Sequence, residues 1–193
     1  MKKRVIFNVL LFILICALGY VLFTTVQEPI KFQTVKANKE TAIVNKLIQI
    51  RQAQEVYRGV TGKFAGSFQQ LADTLTYGKF TLVSVTGDPD DPNSVITYDT
   101  SYAPAIDTVK ALGLDLANLG KVPTVDGLEF DIKADTASYQ MTTVDVVEVG
   151  ITYSDFMGQF SDKKYKKYDN LYDPNKKIKF GSLSKPILTG SWE

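Results

Sequence analysis

Residues 5–26 read VIFNVLLFILICALGYVLFTTV, an apolar run interrupted only by Asn8, Gly19, Tyr20 and two threonines. A helix rises about 1.5 Å per residue, so a run of this length crosses a hydrocarbon core of about 30 Å. The flanks are asymmetric. MKKR precedes the run and QEP follows it. The excess of basic side chains at the start predicts a cytoplasmic stub over residues 1–4, a transmembrane helix over 5–26, and everything after Gln27 outside the cytoplasm. A cleavable signal peptide has a shorter apolar core followed by a small-x-small site, and FTTVQEP offers none. A lipoprotein needs a small residue just before the lipidated cysteine, but Cys16 follows the bulky ILI. The expectation is therefore a retained single-pass anchor in the inner (cytoplasmic) membrane, in contact with lipid through residues 5–26, with a periplasmic domain beyond.

With 193 residues the chain has room for that anchor and one domain with a substantial core. Its single cysteine lies within the anchor, so the outer domain is expected to stand on packing and not on disulfides. The 22 basic and 21 acidic residues nearly balance, and removing the three basic residues of the stub leaves a slightly acidic outer part. Such a balance gives no general attraction to nucleic acid, and none is expected as a partner.

After Pro29 the pattern becomes polar, and residues 27–37 are expected to form a connector. Asn38 is suited to capping a helix, with Glu40 in its first turn. Ile43, Leu47, Ile50, Ala53 and Tyr57 then recur at spacings of four, three, three and four, which predicts an amphipathic helix with one buried stripe. Gly59 and Gly62 are placed to stop it. Ser67 opens a second, shorter helix through a capping box with Gln70, and Phe68, Leu71, Ala72 and Leu75 supply its buried face. Beyond Gly78 the period changes to two. KFTLVSV and VITYDTSY are expected strands joined by the Asp- and Pro-rich turn GDPDDPNS; AIDTVKALG follows as a short helix, and LEFDIKAD, MTTVDVVEVGITY and IKFGSL as later strands. Helices first and strands afterwards predict an α+β domain over 38–193, in which an amphipathic and a short helix pack on an antiparallel sheet.

The stretch EVYRGVTGKFAGSFQQL ends one helix and starts another, with Gly-Lys-Phe between them. Over about residues 41–75 this layout resembles the periplasmic part of type IV pilins and pseudopilins, in which a long helix leads into a loop of the kind Gly-aromatic, Ser/Thr, Leu. The resemblance implies a subunit of a secretion or pilus machine. Two departures stand beside it. Members of that family have a leader cut after a glycine and an acid near the new N-terminus, whereas here no glycine precedes Gly19 and no acid precedes Glu28. Their membrane helix also runs unbroken into the amphipathic one, whereas Pro29 and a polar segment intervene here. The overall layout, including the closing GSWE, also resembles single-span envelope proteins of Bacteroidetes with no assigned function.

Histidine is absent. No Ser-His-Asp or Cys-His site and no typical zinc site can therefore be assembled, leaving carboxylate, lysine, serine or tyrosine chemistry. The acids fall in turns or alternate with apolar residues, as in VDVVEV, which is what a half-buried strand requires. No catalytic residue, cofactor or enzymatic activity is expected.

Three groups remain as candidates. Asp88, Asp90, Asp91 and Asn93 bring hard oxygen ligands together, as calcium requires, but lack the glycine and bidentate Glu of an EF-hand; Asp and Pro also favour turns for backbone reasons alone. Lys163, Lys164, Lys166 and Lys167, with Tyr165 and Tyr168 between them, could hold phosphate, an anionic glycan or an acidic membrane surface, or form a solvated loop. Tyr57, Gly59, Gly62, Phe64, Ser67 and Phe68 form either a packed corner or an aromatic recognition patch, and the corner is the simpler reading. The combined expectation is a membrane-anchored binding or scaffolding component of an envelope assembly, with other envelope proteins as partners. A pseudopilin-like subunit is the alternative, and an envelope enzyme using carboxylates a further one.

Overall fold

The computed structural model describes residues 2–86 and 97–193. The fold is α+β. It consists of a long N-terminal helix, short helices, and two small antiparallel sheets.

The first helix, α1 (Lys2–Thr61), contains Pro29 in its interior and has helical backbone throughout the expected connector at 27–37. The polar composition there predicted a break, and proline in a helix interior costs about 3 kcal/mol through its missing N–H and its ring clash. Side-chain packing offsets that cost. Glu28, Phe32, Lys36 and Glu40 recur every fourth residue, so they lie along one side of α1, and each has a partner in residues 153–176. In the apolar part of α1 the large side chains are exposed, from Val5 at 61% to Val26 at 57%, and none of its 18-residue apolar window is buried. The helix is long and apolar enough to cross a membrane.

The chain divides into two compact units. One comprises Met1–Thr41 and Tyr153–Lys176. Beyond α1 it contains a short helix, α4 (Tyr153–Met157), and two 3-10 turns, Gly158–Phe160 and Lys163–Lys167. Its core is aromatic: Phe32, Phe156, Phe160, Tyr165 and Tyr172 are buried.

The other unit comprises Ala42–Thr152 and Lys177–Glu193. Its core takes in the α1 stripe Ile43, Leu47, Ile50, Ala53 and Tyr57, each at most 4% exposed. Leu71 and Leu75 from α2 (Phe68–Tyr77) and Val109 from α3 (Ala105–Ala111) are also buried. Three strands, β3 (Asp131–Tyr139), β4 (Thr142–Thr152) and β5 (Lys177–Gly181), form an antiparallel sheet in the order β3-β4-β5. The β3-β4 turn places Gln140 and Met141 at φ 49° and 66°, the two successive left-handed residues of a tight hairpin turn. Gly181 has φ +78°, and a Cβ there would lie 2.0 Å from the Val147 carbonyl oxygen, so only glycine fits.

The remaining two strands, β1 (Lys79–Thr86) and β2 (Thr97–Pro104), form a two-stranded antiparallel hairpin. Cross-strand pairing of Thr81 with Tyr102, Val83 with Thr100 and Val85 with Tyr98 puts these six side chains on one face. Val83, Val85, Tyr98 and Tyr102 are all more than half exposed.

Candidate functional site

The best-defined cluster of interacting polar and aromatic side chains lies where α1 leaves its apolar stretch. Phe32 is its hub, fully buried and stacked on Tyr165 with ring centroids 5.3 Å apart and planes 6° from parallel. Tyr172 meets Phe32 edge-on at 5.1 Å, and Phe160 does so at 5.8 Å. Offset and edge-on arrangements of this kind are favoured by the ring quadrupoles. Tyr172 also satisfies its hydroxyl inside the cluster, donating to the Phe160 carbonyl at 2.6 Å. Burial, with the nearby Asp162 and Asp173 carboxylates, pushes the Tyr172 phenol up to about 12.

Around the rings runs a line of polar contacts. Tyr168 donates its hydroxyl to Glu28 at 2.5 Å, and this bond holds the Glu28 carboxyl below its ordinary range, aided by Lys167 and Lys164. Lys36 donates to Asp169 at 2.7 Å and lies 3.2 Å from Glu40. Partial burial works against the Lys36 charge, but its two carboxylate partners outweigh it, and its pKa is raised. Asp169 is correspondingly lowered, first by Lys36 and then by backbone amides, after burial has opposed the shift. Tyr153 donates to Glu40 at 2.5 Å, and burial together with that carboxylate pushes its phenol well above the ordinary range. Lys39 closes the line by donating to the Phe156 carbonyl. The Tyr153 and Tyr172 phenols thus stay neutral donors, and the contacts of Tyr153, Tyr168 and Asp169 clamp the chain to the helix.

Local sequence explains why residues 162–175 take a defined path. Asp162 accepts from the Lys164 amide, Asp169 from the Leu171 amide and Asp173 from the Asn175 amide. Each is an aspartate closing a turn on the backbone two residues ahead. This is the segment expected as a solvated loop or as a basic patch for an anionic partner. Tyr165 is buried and Tyr168 half-buried, while Lys163, Lys164, Lys166 and Lys167 remain exposed. Lys164 and Lys167 lie over the Tyr165 and Tyr168 rings at 5.0 and 4.5 Å. Lys163 and Lys166 flank a recess of about 160 Å³ lined also by Tyr172, Asp173 and Pro174.

In the other unit the EVYRGVTGKFAGSFQQL stretch forms a corner. Tyr57 and Phe64 are buried and Phe68 is half-buried. Gly62 follows the helix end at φ +78°, and its N–H bonds the Arg58 carbonyl at 2.8 Å. Gly59 lies inside α1 and does not end it; a Cβ there would come within 2.8 Å of the Phe80 ring. Ser67 caps α2 by accepting from the Gln70 amide, while the Gln70 side chain accepts from Gly66 N–H, one residue before the cap. The corner's central tie is a residue that periodicity could not single out. Gln54, fully buried, accepts from Ala65 N–H at 2.9 Å and donates to the Ala65 carbonyl at 3.0 Å.

Asp88, Asp90, Asp91 and Asn93 lie outside the described residues. Among the described residues no group of three or more metal-ligating side chains is assembled. Glu28, Phe32, Lys36 and Tyr153 escaped sequence reasoning as members of this cluster, and Glu40 entered it only in a helix's first turn. The four-residue spacing of Glu28, Phe32, Lys36 and Glu40 is a signal of one helix face, which Pro29 masks; Tyr153 carries no comparable signal. Comparison with family models, with curated proteins and with solved structures found no match in any of the three.

Proposed function

We propose that this chain is a membrane-anchored, non-enzymatic binding or scaffolding component of an envelope assembly. One observation carries the reading: α1 exposes its large apolar side chains from Val5 to Val26, then continues as helix and contributes buried side chains to each compact unit. Water does not tolerate so large an exposed apolar surface, whereas lipid does. In this reading residues 5–26 cross the inner membrane with the basic stub in the cytoplasm, and the helices pack over the three-stranded sheet in the periplasm. The β1-β2 hairpin, with Val83, Val85, Tyr98 and Tyr102 exposed on one face, supplies a surface for a protein partner.

A pseudopilin-like subunit is the second reading, favoured by the unbroken course of α1 through Pro29. That continuity removes one of the two departures from the pilin pattern. Crosslinking the intact protein in its membrane and identifying what it captures separates the readings. Recovery of discrete envelope proteins in defined ratio supports a scaffold. A mature N-terminus trimmed into the apolar run, together with recovery in fibres, supports the pilin-like subunit.

A further inference from the structure

We infer that Lys163, Lys164, Lys166 and Lys167 form a cluster of ammonium groups that binds the phosphates of anionic lipid headgroups on the membrane face where α1 emerges. The inference rests on the reading that residues 5–26 span the membrane.

Position is the first ground. Glu28 lies two residues past Val26, about 3 Å along the helix, and Lys167 Nζ is 3.8 Å from the Glu28 carboxylate. The lysines therefore begin at the level where hydrocarbon gives way to headgroups. Charge is the second. Of the neighbouring carboxylates, Asp169 is engaged by Lys36 and Asp162 by the Lys164 amide. Glu28 lies 3.8 Å from the Lys167 ammonium and already accepts from Tyr168. The turn's four exposed ammonium groups have Glu28, Asp162 and Asp173 beside them and outnumber these three carboxylates, a surplus that a phosphodiester layer would neutralise.

Order is the third ground. A polybasic tail must be immobilised to bind, but this turn is held by the Asp162 cap and by Tyr165 buried between the two lysine pairs. Little backbone freedom is left to lose on binding. Tyr168, half-buried with its hydroxyl at Glu28, is placed as aromatic residues are at membrane interfaces.

The test uses the full chain reconstituted in phosphatidylcholine vesicles with trace spin-labelled lipid. Boundary occupancy of labelled phosphatidylglycerol is compared with that of labelled phosphatidylcholine. The expected result is a preference for phosphatidylglycerol of roughly fivefold, the factor one lysine at a charged surface supplies. Half-molar salt should abolish it, and Lys163→Gln/Lys164→Gln/Lys166→Gln/Lys167→Gln should reduce it, while Lys2→Gln/Lys3→Gln/Arg4→Gln leaves most of it. The salt titration of the unaltered chain keeps the proposal exposed should the fourfold variant fold poorly. No preference in the unaltered chain, or a preference lost only with the N-terminal triple variant, overturns it. Complete competition by millimolar inorganic phosphate overturns the lipid assignment in favour of a free-anion site. Release of the protein from vesicles by alkaline carbonate would sink the spanning reading, a failure distinct from retention without lipid preference.

Discussion

Tyr168 donates its hydroxyl to the carboxylate of Glu28 at 2.5 Å, joining residues 140 positions apart in sequence. Glu28 stands one residue before the proline that should have ended the helix, so the bond ties down the turn of α1 with the least backbone support. Tyr168→Phe is expected to speed amide exchange around residues 30–34 in the full chain, with a smaller effect near residue 50. Unchanged exchange on both sides of Pro29 would mean that the helix holds there without the bond.

Phe32 is the hub of the aromatic cluster, and its loss leaves a cavity that four rings cannot readily fill. Phe32→Ala should destabilise residues 153–176 by about 3–5 kcal/mol, read as loss of exchange protection at Tyr165 and Tyr172. Phe32→Leu, which keeps most of the volume, should recover part of it. Equal protection in the alanine variant and the parent would show that the segment is held by its polar contacts alone.

The same segment should fail in alkali. The phenols of buried Tyr172 and half-buried Tyr153 have raised pKa values, so the folded state resists their ionisation while the unfolded chain ionises near the ordinary tyrosine value of about 10. The native state then binds more protons above that pH, and stability falls from about pH 10 toward the folded Tyr172 value of about 12. The raised Lys36 pKa works in the same direction, its contribution being present below its ordinary value and lost as pH rises through the folded one. Tyr172→Phe should lose about 1 kcal/mol at neutral pH through the bond to Phe160 and make the alkaline loss shallower. An unaltered alkaline limb in that variant would place the titrating group elsewhere.

Gln54 gives a sharper test of the corner. Its amide satisfies both backbone groups of Ala65 in a buried site, and a buried polar group left unpaired costs about 1–3 kcal/mol. Gln54→Met, close in volume, should be nearly as damaging as Gln54→Ala in urea unfolding. Recovery by methionine would show that the site needs bulk and not hydrogen bonds.

At the other end of the corner, Ser67→Ala should cost about 1 kcal/mol through the lost cap. A Cβ on Gly120 would lie 2.6 Å from the Phe68 ring, so Gly120→Ala should destabilise the parent and do so much less in a Phe68→Ala background. Additive effects would show that the two do not touch in solution. Capture of a partner lost in Phe64→Ala and Phe68→Ala, with unfolding unchanged, would make the corner a recognition surface.

What could be read in advance depended on which force orders each segment. The stripe from Ile43 to Tyr57 was legible because aliphatic burial on a helix leaves a 3.6-residue period, and the strands at KFTLVSV and TYDTSY because strands leave a period of two. Residues 153–176 were not legible, because tyrosine hides its burial behind a hydroxyl and aspartate looks like a solvent residue even when it closes a turn. The helix across Pro29 was misread for a related reason. Local preference argued for a break, and the contacts that override it come from residues more than a hundred positions away.

The most direct test of the anchor uses the chain's own single cysteine. Cys16 lies near the middle of residues 5–26 and faces outward from α1, so a spanning helix buries its thiol in hydrocarbon whereas a helix in water presents it freely. Native membranes containing the full chain are treated with a water-soluble maleimide, before and after dissolution in sodium dodecyl sulfate. The expected result is no labelling in intact or sheared membranes and complete labelling once dissolved. Labelling of Cys16 in native membranes at the rate of a free thiol would contradict the anchor, and with it the reading of this chain as a membrane-tethered binding protein.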